Sequence, residues 1–362
     1  MTRVFLYFTL FLLFAASACQ QSKMFSRTDE SRIEGMVLDS EGLPLSGIMA
    51  EAGDHQVETD SQGRFTMDAV RHGSILFRLH GAFGTGQYMK NISRSRETLE
   101  LEYPVMTTII LLHDNDLHFN FNHTEAFDSL LNEIRGKYDN VWMMNAGDTF
   151  VRHAHRWIVE DTSYYADRSL YMFETKNKLG YDLVTPGNHE LDYVGTHTGV
   201  SLESAQFPLI AANIDIATKH LTVLKPYIVL ETTNALSIAV LGLSTVNFNK
   251  PGVTSRDPVA TTEAYRNLSD EYDMFMALTH IGYSSDSTLA EAVPDLDVII
   301  GGHSHTLLET ARVVNGVLIA QAGGPPPQHG IDPDWPKYLG KVKVVFENDT
   351  IIEKTGYVMT ID

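Results

Sequence analysis

The sequence predicts an α/β protein, a layered sandwich preceded by a small all-β domain, and three observations carry the prediction. Between Ile33 and Tyr103, short apolar segments are separated by turn residues and show no helical period. After Pro104, apolar runs alternate with amphipathic stretches, the βαβ signature of a layered α/β domain. The 362 residues allow about two domains at roughly 100–200 residues each. The net charge of -19 limits function as well, because general affinity for nucleic acid or anionic lipid needs surplus Lys and Arg. An acidic protein still binds phosphate where metal cations reverse the local field.

At the amino terminus Arg3 precedes an apolar run from Val4 to Ala16, followed by Ser17-Ala18-Cys19. The run is shorter than the about 20 residues that span a bilayer and has the pattern of a signal peptide. Small residues before Cys19 resemble a bacterial lipoprotein signal, in which the Cys becomes the acylated first residue of the mature protein. Cys19 is the only cysteine, so the fold relies on neither disulfides nor a zinc-thiolate site and this residue is spare for lipidation. Ala16 is a weaker choice than Leu at the start of that motif, which leaves ordinary cleavage as the alternative. The expectation is export to a bacterial cell envelope with a lipid (palmitate-type) membrane anchor on Cys19, from a signal at 1–19 and a Gln-, Ser- and charge-rich tether at 20–32.

The first domain, expected at 33–104, reads as a small antiparallel β-sandwich. Gly35 to Asp39 leads through Ser40-Glu41-Gly42 to Leu43-Pro44-Leu45-Ser46-Gly47-Ile48, and Thr59-Asp60-Ser61-Gln62-Gly63-Arg64-Phe65 supplies another tight turn. Val37, Ile48 and Phe65 alternate inward. These motifs resemble the carboxypeptidase regulatory-like family, a transthyretin-like fold, which implies a spacer or interaction module.

In the second domain, expected at 105–362, strands are predicted over Thr107 to His113, Val141 to Asn145, Tyr181 to Thr185, Phe207 to Ala211, Leu236 to Leu243, Met274 to Thr279 and Val298 to Ile300. Helices are predicted from Thr124, as N-cap, to Lys137 and from about Thr162 to Leu179. Two last strands, Lys341 to Phe346 and Ile351 to Val358, are close enough to form a hairpin around Asn348-Asp349. Gly323-Gly324-Pro325-Pro326-Pro327 reads as a rigid surface loop.

Polar residues of metal-binding type cluster where these strands finish. Asp116-Leu117-His118 follows the first, and a carboxylate and an imidazole two apart project the same way from an extended chain. Asn145-Ala146-Gly147-Asp148 ends the second. Gly187-Asn188-His189-Glu190-Leu191-Asp192 follows the third, with Gly187 turning the chain, an amide at Asn188, a titratable ring at His189 and a carboxylate at Asp192 to orient it. Thr279-His280 and Gly301-Gly302-His303-Ser304-His305 complete the set. Each alone is as well explained by a polar loop; their common position at strand ends is not chance placement, since ligands of open α/β sheets gather there.

Those strand ends, in this order, resemble the calcineurin-like metallophosphoesterases over residues 107–345. Ile110-Leu111-Leu112-His113-Asp114-Asn115-Asp116-Leu117-His118 and Phe207-Pro208-Leu209-Ile210-Ala211-Ala212-Asn213-Ile214 are similar to the 5′-nucleotidase branch. The resemblance implies that Asp116, His118 and His305 hold one metal, that Asp148 bridges to a second held by Asn188, His280 and His303, and that His189 is the general acid with Asp192 as its partner. Members of this branch often have Gln where this chain has His305. Glu190 has no metal-binding role in the motif.

The mixed imidazole, carboxylate and amide set suits two divalent ions of Zn, Mn, Fe or Co better than Mg or Ca. Such a pair, about 3.5–4 Å apart, generates a bridging hydroxide as nucleophile, while His189 protonates the leaving alkoxide. The function expected is hydrolysis of a phosphate monoester, with a phosphodiesterase or cyclic-nucleotide phosphodiesterase and a non-catalytic surface protein with a structural metal as alternatives. Full-length 5′-nucleotidases carry a carboxyl-terminal domain for the nucleoside, for which the sequence up to Asp362 offers no counterpart, so the small phosphorylated substrate is left open. Arg152, His153 and His155 read either as phosphate contacts or as a solvated basic loop; Trp335 and Tyr338 read as packing residues.

Overall fold

The computed structural model describes residues 30–38, 42–81, 84–102, 106–121, 123–150, 162–191, 202, 204–216, 224–233, 236–245, 252–325, 336–347 and 349–361. The amino-terminal signal with Cys19, Arg152, His153, His155, Asp192 and Trp335 lie outside the described residues. Two compact units are present, Met1–Val105 and Met106–Asp362. Among the described residues no helix is long and apolar enough to cross a membrane.

In the first unit the described strands are β1 (Glu30–Leu38), β2 (Met49–Ala52), β3 (His55–Glu58), β4 (Arg64–Arg71), β5 (Gly73–Gly81), β6 (Gly84–Ile92) and β7 (Arg96–Glu102). They form sheets in the orders β4-β1-β7 and β3-β2-β5-β6. Ile33, Val37, Ile48, Phe65, Phe77 and Leu79 share one core. Phe65 and Met67 alternate inward, then Ala69 at φ 62° inserts an extra residue so that Val70 regains the buried face. The sandwich is not wholly antiparallel: β1 and β7 pair in parallel, because β7 re-enters after β5 and β6 have run through the other sheet. β1 begins at Glu30, inside the stretch read as tether.

The second unit begins with β8 (Met106–Asp114), α1 (Thr124–Arg135), β9 (Asn140–Asn145), α2 (Thr162–Leu179), β10 (Leu183–Val184) and α3 (Asn188–Leu191). It continues with β11 (Leu209–Ile210), β12 (Ile214–Ile216), β13 (Leu224–Lys225), β14 (Tyr227–Glu231), β15 (Ser237–Ser244) and β16 (Val253–Ser255). Then follow α4 (Pro258–Ala264), α5 (Leu268–Glu271), β17 (Met274–His280), α6 (Tyr283–Ala292) and β18 (Val298–Ile300). β19 (Arg312–Val314), β20 (Val317–Ala320), β21 (Tyr338–Glu347) and β22 (Thr350–Thr360) close the unit.

Two mixed sheets, β13-β11-β10-β9-β8-β21-β22 and β14-β15-β17-β18-β20-β19, pack against one another. Their central strands are buried on both sides, which is why they read as unbroken apolar runs. In β8, Ile109 and Leu111 enter the core between the sheets, while Ile110 and Leu112 enter a second core with Phe127 of α1 and Phe173 of α2. In β17, Met274, Met276 and Leu278 face the first of these cores, and Phe275 and Ala277 face a third with Leu268 and Leu289. The layers are therefore helix, sheet, sheet, helix, with α1 and α2 on one side and α5 and α6 on the other.

The structure corrects several boundaries. Thr124 is the first helical residue rather than the N-cap, which is His123 and makes no side-chain cap hydrogen bond. The strand expected over Tyr181 to Thr185 shrinks to Leu183–Val184 and that over Phe207 to Ala211 to Leu209–Ile210, since loop partners rather than a full ladder take up the flanking amides. The final hairpin is present as β21 and β22. Of the loop expected at the surface, Gly323 and Pro325 are buried, because their carbonyls bond to Asn115 and His305 after the strand ends, and Pro326 and Pro327 lie outside the described residues.

Candidate metal centre

The parallel strands β8, β9 and β10 end at one level, with Asp114 opposite Asn145 and Asn145 opposite Val184. In the other sheet Leu278 of β17 lies opposite Ile300 of β18. The segments that leave these strands converge. Leu117 and Phe119, fully buried, anchor the loop after β8 in the core, so the residues between and before them, His118 and Asp116, face the other way.

They do so without an extended backbone. Asp116, His118 and Asp148 have φ of 51°, 48° and 52°, and His303 and His305 have 78° and 53°. Non-glycine residues in the left-handed region cost energy that surrounding contacts must offset, and such strain clusters at functional sites. Here the offset is a set of backbone bonds between loops: Asp116 N donates to Gly147 O, His118 N to Asp148 O and Phe119 N to Thr149 O, all at 2.8–2.9 Å. Gly147, at φ 85°, supplies the turn expected of it. Gly187 serves a different purpose from the one expected: a β-carbon there would fall on the Asp148 carboxylate, so glycine is needed for close approach.

Six of the expected ligands and His189 fall into three overlapping groups whose donor atoms lie within 4.8 Å of one another: Asp116, His118 and His305; His118, Asp148 and His189; and Asp148, His280 and His303. His118 Nε2 and His305 Nε2 are 2.9 Å apart, and His305 Nε2 is 3.5 Å from Asp116 Oδ1. Asp148 Oδ2 lies between the clusters, 3.2 Å from His280 Nε2 and 4.0 Å from His118 Nε2. His189 Nε2 is 3.7 Å from the same oxygen, and its amide donates to Asp148 Oδ1 at 3.0 Å. Asn188 opens α3 with its Oδ1 buried, and His303 stands at the solvent-exposed rim.

The donor set fits divalent cations. His118, His280 and His305 each place Nδ1 against a backbone carbonyl, of Phe150 (2.9 Å), Ala146 (2.6 Å) and Pro325 (2.8 Å). A carbonyl only accepts, so Nδ1 carries the proton and Nε2 is left to face the centre, the usual way a protein prepares an imidazole ligand. Asp116 Oδ1 and Asn188 Oδ1 are buried and make no hydrogen bond. Lone pairs turned toward one another in a buried place are costly unless a cation lies among them.

Charge in the metal-free chain points the same way. Burial raises the Asp148 carboxyl, but His280, His189 and His118 outweigh it and hold it well below the usual carboxylate range. Burial lowers His280, but Asp148 and Asp116 outweigh it and raise the ring to about 10.

Glu190, given no metal-binding role by its motif, proves to be the clamp of the centre. Wholly buried, it accepts from Asp148 N (2.9 Å) and Gly187 N (2.7 Å) through Oε2 and from Phe150 N (2.9 Å) through Oε1. The loops after β9 and β10, which carry Asp148, Asn188 and His189, are thereby fixed to each other. The Gly323–Pro325 segment is the other supporting piece not foreseen: Gly324 lies where a β-carbon would come within 2.7 Å of the His305 ring, and Gly323 O accepts from Asn115 Nδ2 at 2.6 Å. Tyr338 packs at the edge of the core shared with α1 and α2, as expected.

Known proteins are similar to this chain over the region that carries these residues. Residues 110–307, more than half of the chain, match the model of the calcineurin-like phosphoesterase family. The trifunctional nucleotide phosphoesterase YfkN of Bacillus subtilis is 26% identical over 289 residues, covering 68% of this chain and 18% of YfkN. UshA of Salmonella pullorum is 27% identical over 281 residues, 66% of this chain and 49% of the relative. The structure of a 5′-nucleotidase precursor from Thermus thermophilus superposes with a TM-score of 0.58 at 25% identity, covering 70% of this chain and 54% of that one. The chain spans about half the length, or less, of these curated relatives. With the family's region running from the middle of β8 to just past His305, the chain belongs to the calcineurin-like phosphoesterases.

Proposed function

We propose that this protein hydrolyses phosphate monoesters with the help of two divalent cations. The observation that supports the reading most is the convergence of Asp116, His118, Asp148, His280, His303 and His305 on one place, with prepared Nε2 atoms and buried, unbonded oxygens. In this reading Asp116, His118 and His305 hold one cation, Asn188, His280 and His303 the other, and Asp148 serves both. Bound there, such a pair lowers the pKa of water toward neutrality and offsets the charge of the phosphoryl oxygens.

The chain's own residues do the rest. Asp148 and Asp116 set the charge of the centre, and Glu190 and the left-handed loops hold the ligands in place before substrate arrives. His189, within 3.7 Å of Asp148, donates the proton that the leaving alkoxide requires, with Asp192 as its proposed partner. The names of relatives, 5′-nucleotidase and nucleotide phosphoesterase, place nucleotides among the substrates worth testing. We also assign residues 1–19 to a lipoprotein signal, Cys19 to a lipid anchor on the bacterial cell envelope, and 33–104 to a carboxypeptidase regulatory-like module. Purified protein assayed with Mn or Zn on nitrophenyl phosphate and on its bis-ester, with metal analysis alongside, tests the function. Turnover of the monoester with about two metals per chain is expected; a metal-loaded protein inert on both would refute the reading, and preference for the bis-ester would make it a diesterase.

A further inference from the structure

Beside the candidate centre lies a groove of about 270 Å³, into which His303 projects from the rim. That is just under the roughly 300–1,000 Å³ of pockets that take drug-sized ligands, so the space suits a small group. Thr245, which follows β15, Asp257, which caps α4, and Ser284, Ser285 and Thr288 from the first turns of α6 line it. The chain reaches this wall directly from the centre, since His280 is followed by Ile281, another lining residue, and then α6. A phosphate ester with its phosphoryl group beside His303 would therefore extend its alcohol half into the groove.

The lining specifies what that alcohol should be. Four hydroxyl side chains face the space, and those of Ser284 and Ser285 make no hydrogen bond to any described residue. Hydroxyls both donate and accept, which matches a partner that does the same. Among the described lining residues there is no Lys or Arg to neutralise a second phosphate and no Phe, Tyr or Trp to stack a base. The one carboxylate among them is Asp257, exposed and acidic, which repels a further anion. Its Oδ1 accepts from Ala260 N at 2.8 Å as the cap of α4, so its position is fixed.

We propose that this groove seats the leaving alcohol and selects a neutral polyhydroxyl group carrying a single phosphate, a sugar or the ribose of a nucleotide, over one bearing a second anionic group. The proposal rests on the monoesterase reading above and adds the substrate class. Four substrates test it on the metal-loaded full chain: a hexose monophosphate, a nucleoside monophosphate, phenyl phosphate and a hexose bisphosphate. In the Ser284→Ala, Ser285→Ala double variant, kcat/KM for the hexose monophosphate relative to phenyl phosphate should fall about tenfold, the size expected for two lost hydrogen bonds to a neutral partner. A matching fall for the nucleoside monophosphate identifies its ribose as an occupant; a fall for the hexose ester alone identifies a free sugar. Asp257→Asn, which keeps a capping oxygen, should raise relative turnover of the bisphosphate several-fold. Unchanged ratios in both variants, with the wild type active, would overturn the groove while sparing the hydrolase; a wild type inactive on all four esters would sink both.

Discussion

Glu190 offers the most direct test of how the centre is held. Its carboxylate accepts three backbone N–H groups, of Asp148, Phe150 and Gly187, in a place fully closed to water. A buried donor deprived of its acceptor costs about 1–3 kcal/mol. Glu190→Ala strands all three, roughly 3–9 kcal/mol, which is comparable with the about 5–15 kcal/mol that keeps a domain folded. Glu190→Gln is the informative change. With its amide nitrogen turned to Phe150 N it keeps the two bonds at Oε2 and loses one, for about 1–3 kcal/mol. For a unit of this size that is roughly 2–12 °C in Tm. Because the loosened loops carry Asp148, Asn188 and His189, metal affinity should fall as well, by the about 10–100-fold typical of groups that support ligands. Thermal melting of the metal-free protein and a metal titration measure the two effects separately. If Glu190→Gln melts and binds metal as the wild type does, the clamp is not what holds these loops.

Three other outcomes are expected. Asp148→Asn should lose turnover and metal together, because Asp148 Oδ2 lies within 3.2–4.0 Å of His280, His189 and His118, and among the described residues no other carboxylate is shared by two of the candidate ligand groups; full metal content in an inactive variant would contradict its place between the clusters. His189→Asn should keep its metals yet slow alkyl phosphates about 10²–10⁴-fold, far more than nitrophenyl phosphate, in a leaving-group series; equal slowing would refute the proton-donor role. Asp286, fully buried and bonded through its side chain to the neutral Thr279 Oγ1 (2.6 Å) and Gln321 Nε2 (2.7 Å), is pushed by burial from 3.8 up to about 7. A carboxyl raised in the folded state contributes stability in full below its unfolded pKa and loses it as pH rises through the folded one. The contribution of Asp286 to stability should therefore decline between about pH 4 and 7, and Asp286→Asn, whose amide can donate to Thr279 Oγ1 and still accept from Gln321, should remove that part of the pH dependence in melts compared with wild type across pH. An unaltered slope would mean that Asp286 keeps its charge in the folded protein.

The strands were legible where burial is two-sided. Ile109 to Leu112 and Met274 to Thr279 read as strands because every residue between two layers must be apolar, whichever way it points. The apolar runs at β10 and β11 predict longer strands than form, and β14 has no counterpart among the predicted strands, since a two-residue ladder or a half-buried edge leaves little periodic trace. The left-handed φ of Asp116, His118, Asp148, His303 and His305 had no local signal at all. Those angles are stabilised by bonds such as His118 N to Asp148 O, between residues distant in sequence.

The sequence by itself determined the kind of chemistry. Imidazoles, carboxylates and an amide at successive strand ends name the donor atoms, and parallel strands must deliver their carboxyl ends to one edge. Tertiary structure alone decided which atoms meet: that His118 and His305 face each other at Nε2, that Asp148 lies between the groups, that Gly187 is required for closeness, and that Glu190 ties two loops together. The reason is physical. Residue type and spacing are local properties of a chain, whereas ring orientation and loop position are set by hydrogen bonds and packing from whichever distant segment the fold brings alongside.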